Sequence, residues 1–292
     1  MKKPKISVII PVYNSARTLK ETLSSLQKQT FKDFEIIVVD DCSTDDSPKV
    51  AKEYAKVKII KTAANSGPAT ARNLGIREAS ADIIAFIDSD CIADKDWLRN
   101  IHSNFKNQNI MVLMGKVKIP HSTFLGDSIA ALGFPAGGQL GFENMWKVTK
   151  EGFTTQIVTC NCALRKNIFK KIGLFDQTFP SAFGEDTDFS VRLLKKGIKI
   201  KYSPNIIIIH QPRKDLNSFI RWGINRGKGS YYLKRKVKLD GFFKLRIWST
   251  KNILKKYCTN LKFPLIIALL TLTFILQEIG YLKETLRRKY KI

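Results

Sequence analysis

The chain has 292 residues, 44% of them hydrophobic and 26% charged, with 50 Lys and Arg against 25 Asp and Glu for a net charge of +25. That composition excludes a fibrous or disordered chain and allows one large globular domain with an appendage. The charge calls for anionic partners: nucleic acid, phosphorylated small molecules or an anionic membrane surface.

The opening residues 1–5 lead straight into ISVII, a run too brief for the apolar core of a signal peptide. The cysteines (Cys42, Cys91, Cys160, Cys162, Cys258) are odd in number and scattered, the pattern of reduced thiols rather than a disulfide framework. The catalytic part is therefore expected inside the cell. Strand-like runs then alternate with helical patterns: ISVIIPV with ARTLKETLSSLQKQ, EIIVVDD with SPKVAKEYA, VKIIKT with GPATARNLGIREA, ADIIAFIDSD with DKDWLRNIHSNF. Val- and Ile-rich strands without polar alternation suit a parallel sheet covered on both faces, and the alternation suits right-handed βαβ crossovers. The expected class is α/β, a doubly wound and mainly parallel sheet, whose ligands sit at the carboxyl ends of the strands.

Polar residues collect at that edge: Pro11, Tyr13 and Asn14; Asp40 and Asp41; Asp88 and Asp90. On an extended chain Asp88 and Asp90 can point the same way and repel one another, and a divalent cation with oxygen ligands relieves that repulsion while substrate phosphates complete its shell. The pair thus reads as a site for Mn²⁺ or Mg²⁺ and a diphosphate. Further on, residues 124–146 are apolar and Gly-rich, read as a mobile loop over an acceptor in preference to an irregular cover for the core; Pro135 argues against a membrane span there. From 211 to 260 basic residues such as Arg213, Arg226 and Arg246 interleave with aromatics such as Phe219, Trp222 and Tyr232. No nucleic-acid motif accompanies them, and an apolar run, FPLIIALLTLTFILQEIGYL (263–282), follows, so an anionic lipid surface is the favoured partner. That run reaches the length of a span only by including Gln277 and Glu278. A membrane-inserted helix is favoured over an interfacial or buried one, with truncation before Phe263 expected to leave a soluble, donor-binding protein.

In order, IPVYN (10–14), VVDDCSTDD (38–46), GPATARNLGI (67–76), FIDSD (86–90), RKNIFKKIGLFDQTF (165–179) and GEDTDFSVRLLKKGIKIKYSPNIIIIH (184–210) resemble the family 2 glycosyltransferases of GT-A fold, over about 6–210. The resemblance implies that the end of the first strand, with Pro11 and Tyr13, and the DD motif hold the nucleotide. Tyr13 would offer a stacking face, and Asp41 an acceptor for the imide N–H of uracil with Asp40 its structural neighbour. Arg72 would approach the base or the diphosphate. Asp90 would bind the metal, Asp88 would serve the ribose or the metal's outer shell with Ser89 beside it on the donor side, and His210 would be a further ligand. The bland alternatives stay open: a turn at Tyr13, a solvated helix face for Arg72, a simple strand end at His210. Transfer to a hydroxyl needs a base and a sink for the departing charge. Likeness to the family gives the base to Asp186, with Glu185 positioning the acceptor or the base, while Asp188 and Arg192 belong to the helix that follows.

The expected organisation is a catalytic domain at 1–210 (nucleotide-sugar binding to about 117, acceptor and base from about 118), a basic aromatic extension at 211–260 and an apolar helix with a basic tail at 261–292. The expected enzyme is inverting and metal-dependent, moving a sugar from a nucleotide-sugar donor, a uridine diphosphate sugar by preference, to a glycan or lipid-linked acceptor at the cytoplasmic membrane face. The sequence FIRWG lacks the Gln of the processive Q-x-x-R-W signature, so one sugar per encounter is expected. A nucleotidyltransferase of related fold is the alternative enzyme, disfavoured by the absence of a Gly-rich triphosphate loop. A non-catalytic binder of sugar nucleotides or nucleic acid is the alternative outside enzymes.

Overall fold

A computed structural model describes residues 3–179, 183–237 and 242–290; Lys238 and Asp240 of the basic stretch lie outside the described residues. The chain begins β1 (Ile6–Val12), α1 (Ala16–Gln27), β2 (Phe34–Asp40), α2 (Ser47–Lys52), β3 (Val57–Lys61), α3 (Pro68–Glu78), β4 (Ile83–Ile87). The four strands pair in parallel in the order β3, β2, β1, β4. In β1, β2 and β4 the Ile and Val side chains are buried on both faces, the outcome expected of runs without polar alternation, while the edge strand β3 is only partly covered.

Beyond β4 the sheet becomes mixed. The chain continues through β5 (Cys91–Ala93), α4 (Trp97–Asn104), β6 (Val112–Lys118), α5 (Phe124–Ala130), α6 (Phe142–Met145), β7 (Phe153–Thr154) and β8 (Asn161–Arg165). It then forms α7 (Ile168–Ile172), α8 (Glu185–Lys195) and β9 (Ile200–His210). The antiparallel strand β8 is inserted between β4 and β6, β6 runs parallel to β9, and β9 takes β5 and β7 along its length antiparallel. The short β5 therefore lies far from β4 in the sheet although only a turn separates them in sequence. That placement brings the end of the FIDSD segment against the end of β9.

Three helices close the chain: α9 (Leu216–Lys236), α10 (Phe242–Tyr257) and α11 (Phe263–Tyr290). The Asp215 side chain caps α9 by accepting from the Ser218 N–H at 2.8 Å. A second apolar cluster joins Phe219 of α9 and Ile266, Leu269 and Leu276 of α11 to Ile129, Leu132, Leu140 and Met145 of the 124–146 segment. That segment is thus packed cover between the sheet and the last helices, and Gly133, Gly137, Gly138 and Gly141 take left-handed φ values through its turns.

The helix α11 is longer than its apolar run, continuing through KETLRRKY, because its basic end packs on α9: buried Glu284 accepts from the Tyr232 hydroxyl at 2.6 Å, and Arg288 donates to the same oxygen. Between these ends the two backbones nearly touch. A Cβ at Gly227 would stand 2.0 Å from the Gln277 carbonyl oxygen, and one at Gly280 would stand 2.0 Å from that of Ile224. By length and composition α11 could cross a membrane, at a mean hydropathy of 2.0.

Candidate active site

The first two strand ends are latched together. Asn14, with φ of +48°, accepts through Oδ1 from the Thr44 N–H at 2.8 Å, while its own N–H donates to the Ser43 hydroxyl at 3.0 Å. The latch leaves the Tyr13 ring 49% exposed, with a free face over this edge. Pro11 lies just below it near the end of β1, in register with Val39. Asp40 is buried and accepts from the Ser43 N–H at 3.0 Å. Asp41, also buried, accepts from the Thr62 hydroxyl at 2.7 Å and from the N–H groups of Ser66 at 3.0 Å and Gly67 at 2.7 Å. A carboxylate offers about four acceptor positions, and Asp41 spends three of them holding the approach to α3.

The two acids of the D-x-D part company. The Cys91 N–H bonds the Asp88 carbonyl at 3.2 Å, so the chain turns here rather than continuing extended, and the side chains diverge. Asp88 accepts from the Arg72 guanidinium at 3.0 Å, and Arg72 also donates to Glu185 at 3.0 Å. Arg72 thus balances one oxygen of Asp88. The Arg72 side chain is only 3% exposed, spent on two carboxylates beneath the site, and does not reach out over a diphosphate. Ser89 donates to the Ser15 hydroxyl at 2.9 Å, tying the turn to the start of α1.

Asp90 turns the other way. The antiparallel pairing of Cys91 with His210 sets its Oδ1 3.5 Å from His210 Nε2. The other ring nitrogen, Nδ1, lies 2.9 Å from the Gln211 carbonyl, which can only accept, so Nδ1 carries a proton and the ring is oriented with Nε2 toward Asp90. Cys91 completes a cluster whose potential ligand atoms lie within 4.8 Å of one another, but burial pushes its thiol well up and keeps it neutral. One carboxylate oxygen of the partly exposed Asp90 and one nitrogen of the buried His210 fit a divalent cation that takes its other ligands from diphosphate and water.

The helix α8 begins after Gly184, whose φ of +103° and close approach to Phe179 admit no side chain without strain. Glu185 is buried, and its carboxyl is pushed up to about 7 by burial and the adjacent Asp186, against the pull of Arg72. Asp186 is the more open of the two, accepts from the Thr187 N–H at 2.7 Å, and is likewise raised by burial. Asp188 and Arg192 pair along the helix at 2.9 Å, and Arg192 clips it to the Ile172 and Leu174 carbonyls.

The piece RWGINRGKG of the basic extension resembles the region of the family where arginines close over the donor diphosphate, and the structure shows what brings its Arg226 to this centre. The Arg226 guanidinium of α9 lies between the rings of Phe183 at 4.0 Å and Phe134 at 4.2 Å, with Trp222 at 5.1 Å. Arg246 lies over Phe134 at 5.3 Å and Arg213 over Trp222 at 5.4 Å. Burial and the charges of Arg246 and Arg213 disfavour the Arg226 cation, and Asp186 favours it. Among the described residues none of the three arginines has an ion-pair partner at salt-bridge distance. Their composition was visible in the sequence; their convergence on Phe134 and Phe183 has no local signal.

A solved mannosyltransferase from Pyrobaculum calidifontis, in complex with GDP-Man and Mn²⁺, superposes on the chain with a TM-score of 0.65 at 16% identity, covering 98% of this chain and 88% of that one. The solved 1–349 portion of S. aureus TarS gives a TM-score of 0.56 at 20% identity, covering 99% and 92%. At such identities these likenesses establish the fold, which is of GT-A type. In sequence, the glycosyltransferase AglE of Haloferax volcanii is 27% identical over 263 residues, 87% of this chain and 82% of its own length. The poly(ribitol-phosphate) beta-N-acetylglucosaminyltransferase TarS of Staphylococcus aureus is 36% identical over 132 residues, which are 41% of this chain but 23% of that protein. Residues 7–173 match the model of glycosyl transferase family 2; the chain belongs to that family of glycosyltransferases.

Proposed function

We propose that the chain moves one sugar per encounter from a uridine diphosphate sugar, with Mn²⁺ or Mg²⁺ and with inversion, to a hydroxyl of a glycan or lipid-linked acceptor at the cytoplasmic face of a membrane. The setting would be synthesis of a cell-surface polysaccharide, glycolipid or other glycan. The supporting observation is the strand-end edge itself, where the Asp90–His210 pair and Asp186 are held in one framework by the Asp88–Arg72–Glu185 links. Relatives solved with GDP-Man and Mn²⁺ or with UDP-GlcNAc share its fold. In this reading 1–210 is the catalytic unit, 211–260 lends it arginines and 261–292 holds it at the membrane.

The residues divide the work. Tyr13 stacks under the base, and the remaining acceptor position of Asp41 takes the imide N–H, which is the reason to favour uracil. Asp90 and the Nε2 of His210 would hold the cation, which when bound supplies positive charge to the departing diphosphate. Arg213, Arg226 and Arg246, half-buried and among the described residues without a carboxylate at salt-bridge distance, hold phosphate oxygens. Asp186 takes the proton as the acceptor oxygen attacks the anomeric carbon and the bond to the diphosphate breaks. Its raised carboxyl is a better matched base at neutral pH than an ordinary aspartate. Glu185 and Arg72 fix the first turn of α8 beneath it. Calorimetric titration with UDP- and GDP-sugars, with and without Mn²⁺, tests the reading: metal-dependent binding of a UDP-sugar is expected, and metal-independent binding or none overturns it.

A further inference from the structure

The membrane part of that reading can be taken further. A helix that crosses a bilayer must leave its protein over the thickness of the hydrocarbon, about 20 residues. The buried positions of α11 are Ile266, Leu269, Thr273, Leu276, Gly280 and Glu284, one stripe that runs nearly its whole length. This stripe packs on α5 and the 124–146 segment at one end and on α9 at the other. At Gly227 and Gly280 the contact is backbone to backbone, so α11 cannot be drawn away without dismantling it. Upright insertion would drag α9 along, with Arg226, Lys228, Lys234 and Arg235, and such charges are costly in hydrocarbon.

The other side of α11 is open and apolar: Phe274, Ile275, Ile279, Leu282 and Leu286 are 38 to 56% exposed. Lys283, Arg287 and Lys289 are exposed on the same helix, with Glu278 the acid exposed among them. We infer that α11 lies flat in the headgroup region of an anionic membrane, its Ile275–Ile279–Leu282–Leu286 face in lipid, so that the chain is monotopic and not single-pass. An apolar stripe with lysine and arginine on the same helix is what such a surface binds, apolar area and attraction to anionic lipid adding together. A second copy of this chain would bring an equally basic helix against it.

Depth measurement decides the orientation. Cysteines placed one at a time at Ala268, Ile275, Leu282 and Leu286, in the full-length chain carrying Cys42→Ser and Cys258→Ser so that its other native cysteines are buried, are labelled with a fluorophore and quenched by brominated lipids in vesicles of phosphatidylglycerol and phosphatidylcholine. A flat helix puts all four at one shallow depth. A spanning helix separates Ile275 from Leu282 by about 10 Å of depth, seven residues of rise, and that result overturns the inference. Replacing both Ile275 and Ile279 by Glu should weaken vesicle partition about tenfold or more while leaving metal-dependent binding of the UDP-sugar as it was. Should wild type fail to partition, or form a dimer that the same pair of substitutions dissociates, the lipid assignment falls. Loss of donor binding in wild type would instead count against the proposed transfer, so the two failures are told apart.

Discussion

His210→Gln and Asp90→Asn probe one half of the site each, and both should lower Mn²⁺ affinity in the presence of a UDP-sugar. The expected loss is at least the roughly 10- to 100-fold that follows even from removing an outer-shell partner; unchanged affinity, read by calorimetry, would move the metal elsewhere. Asp186→Asn should cut kcat by roughly 10² to 10⁴ with donor affinity nearly intact. Because the base must be ionised and its carboxyl is raised, wild-type kcat/KM should climb with pH along an acidic limb that the Asn variant lacks. Glu185 gives a stability test instead. Its folded-state value of about 7 lies above the ordinary 4.5, so the folded chain binds the proton more tightly than the unfolded one. That stabilisation is present in full below about pH 4.5, is lost as pH rises through about 7, and amounts to something on the order of 3 kcal/mol. Glu185→Gln should therefore lose less thermal stability than wild type between pH 5 and pH 8, and an equal loss in both would mean that Glu185 is ionised throughout.

At the scale of elements, the parallel half of the fold was legible because apolar runs ending in polar residues are a local signal, and β1, β2 and β4 form from just those runs, with the shorter VKIIK as the edge strand β3. The partition of Asp88 and Asp90 was not legible. It depends on a turn after β4 that carries β5 across the sheet to β9, and on α3 and α8 packing close enough for Arg72 to reach both Asp88 and Glu185. Spacing in the D-x-D shows that two carboxylates are near one another and says nothing of which partner each finds. The glycines of α9 were likewise silent: in the sequence Gly223 and Gly227 weaken a helix, whereas in the fold they let α11 approach. Gly227→Leu should therefore lower the midpoint of thermal unfolding by several degrees at least, since the side chain must displace the Gln277 backbone. A stability unchanged by this substitution would mean that the two helices are not in contact.

For the whole molecule the question is whether the last helix is an appendage. The expectation from sequence was that truncation before Phe263 leaves a soluble protein that still binds donor. In the structure that cut removes Ile266, Leu269 and Leu276, all buried, from the cluster that covers Phe219, Ile129 and Leu132, and removes Glu284 from Tyr232. Each buried aliphatic side chain contributes about 1.5 to 3 kcal/mol, so their joint loss approaches the whole margin by which a domain is stable, about 5 to 15 kcal/mol. The uncovered helix α9 carries Arg226, and the uncovered 124–146 segment carries Phe134, on which Arg226 rests. Damage should accordingly travel from the tail into the site. The truncated chain is expected to aggregate or to melt well below wild type and to bind the UDP-sugar weakly, while a chain with Ile275→Glu and Ile279→Glu, altered only on the open face, keeps both its melting temperature and its donor affinity. Differential scanning calorimetry with a donor titration on the two proteins checks this, and a truncated chain that matches the double variant in both would show that α11 is a tether and not part of the fold.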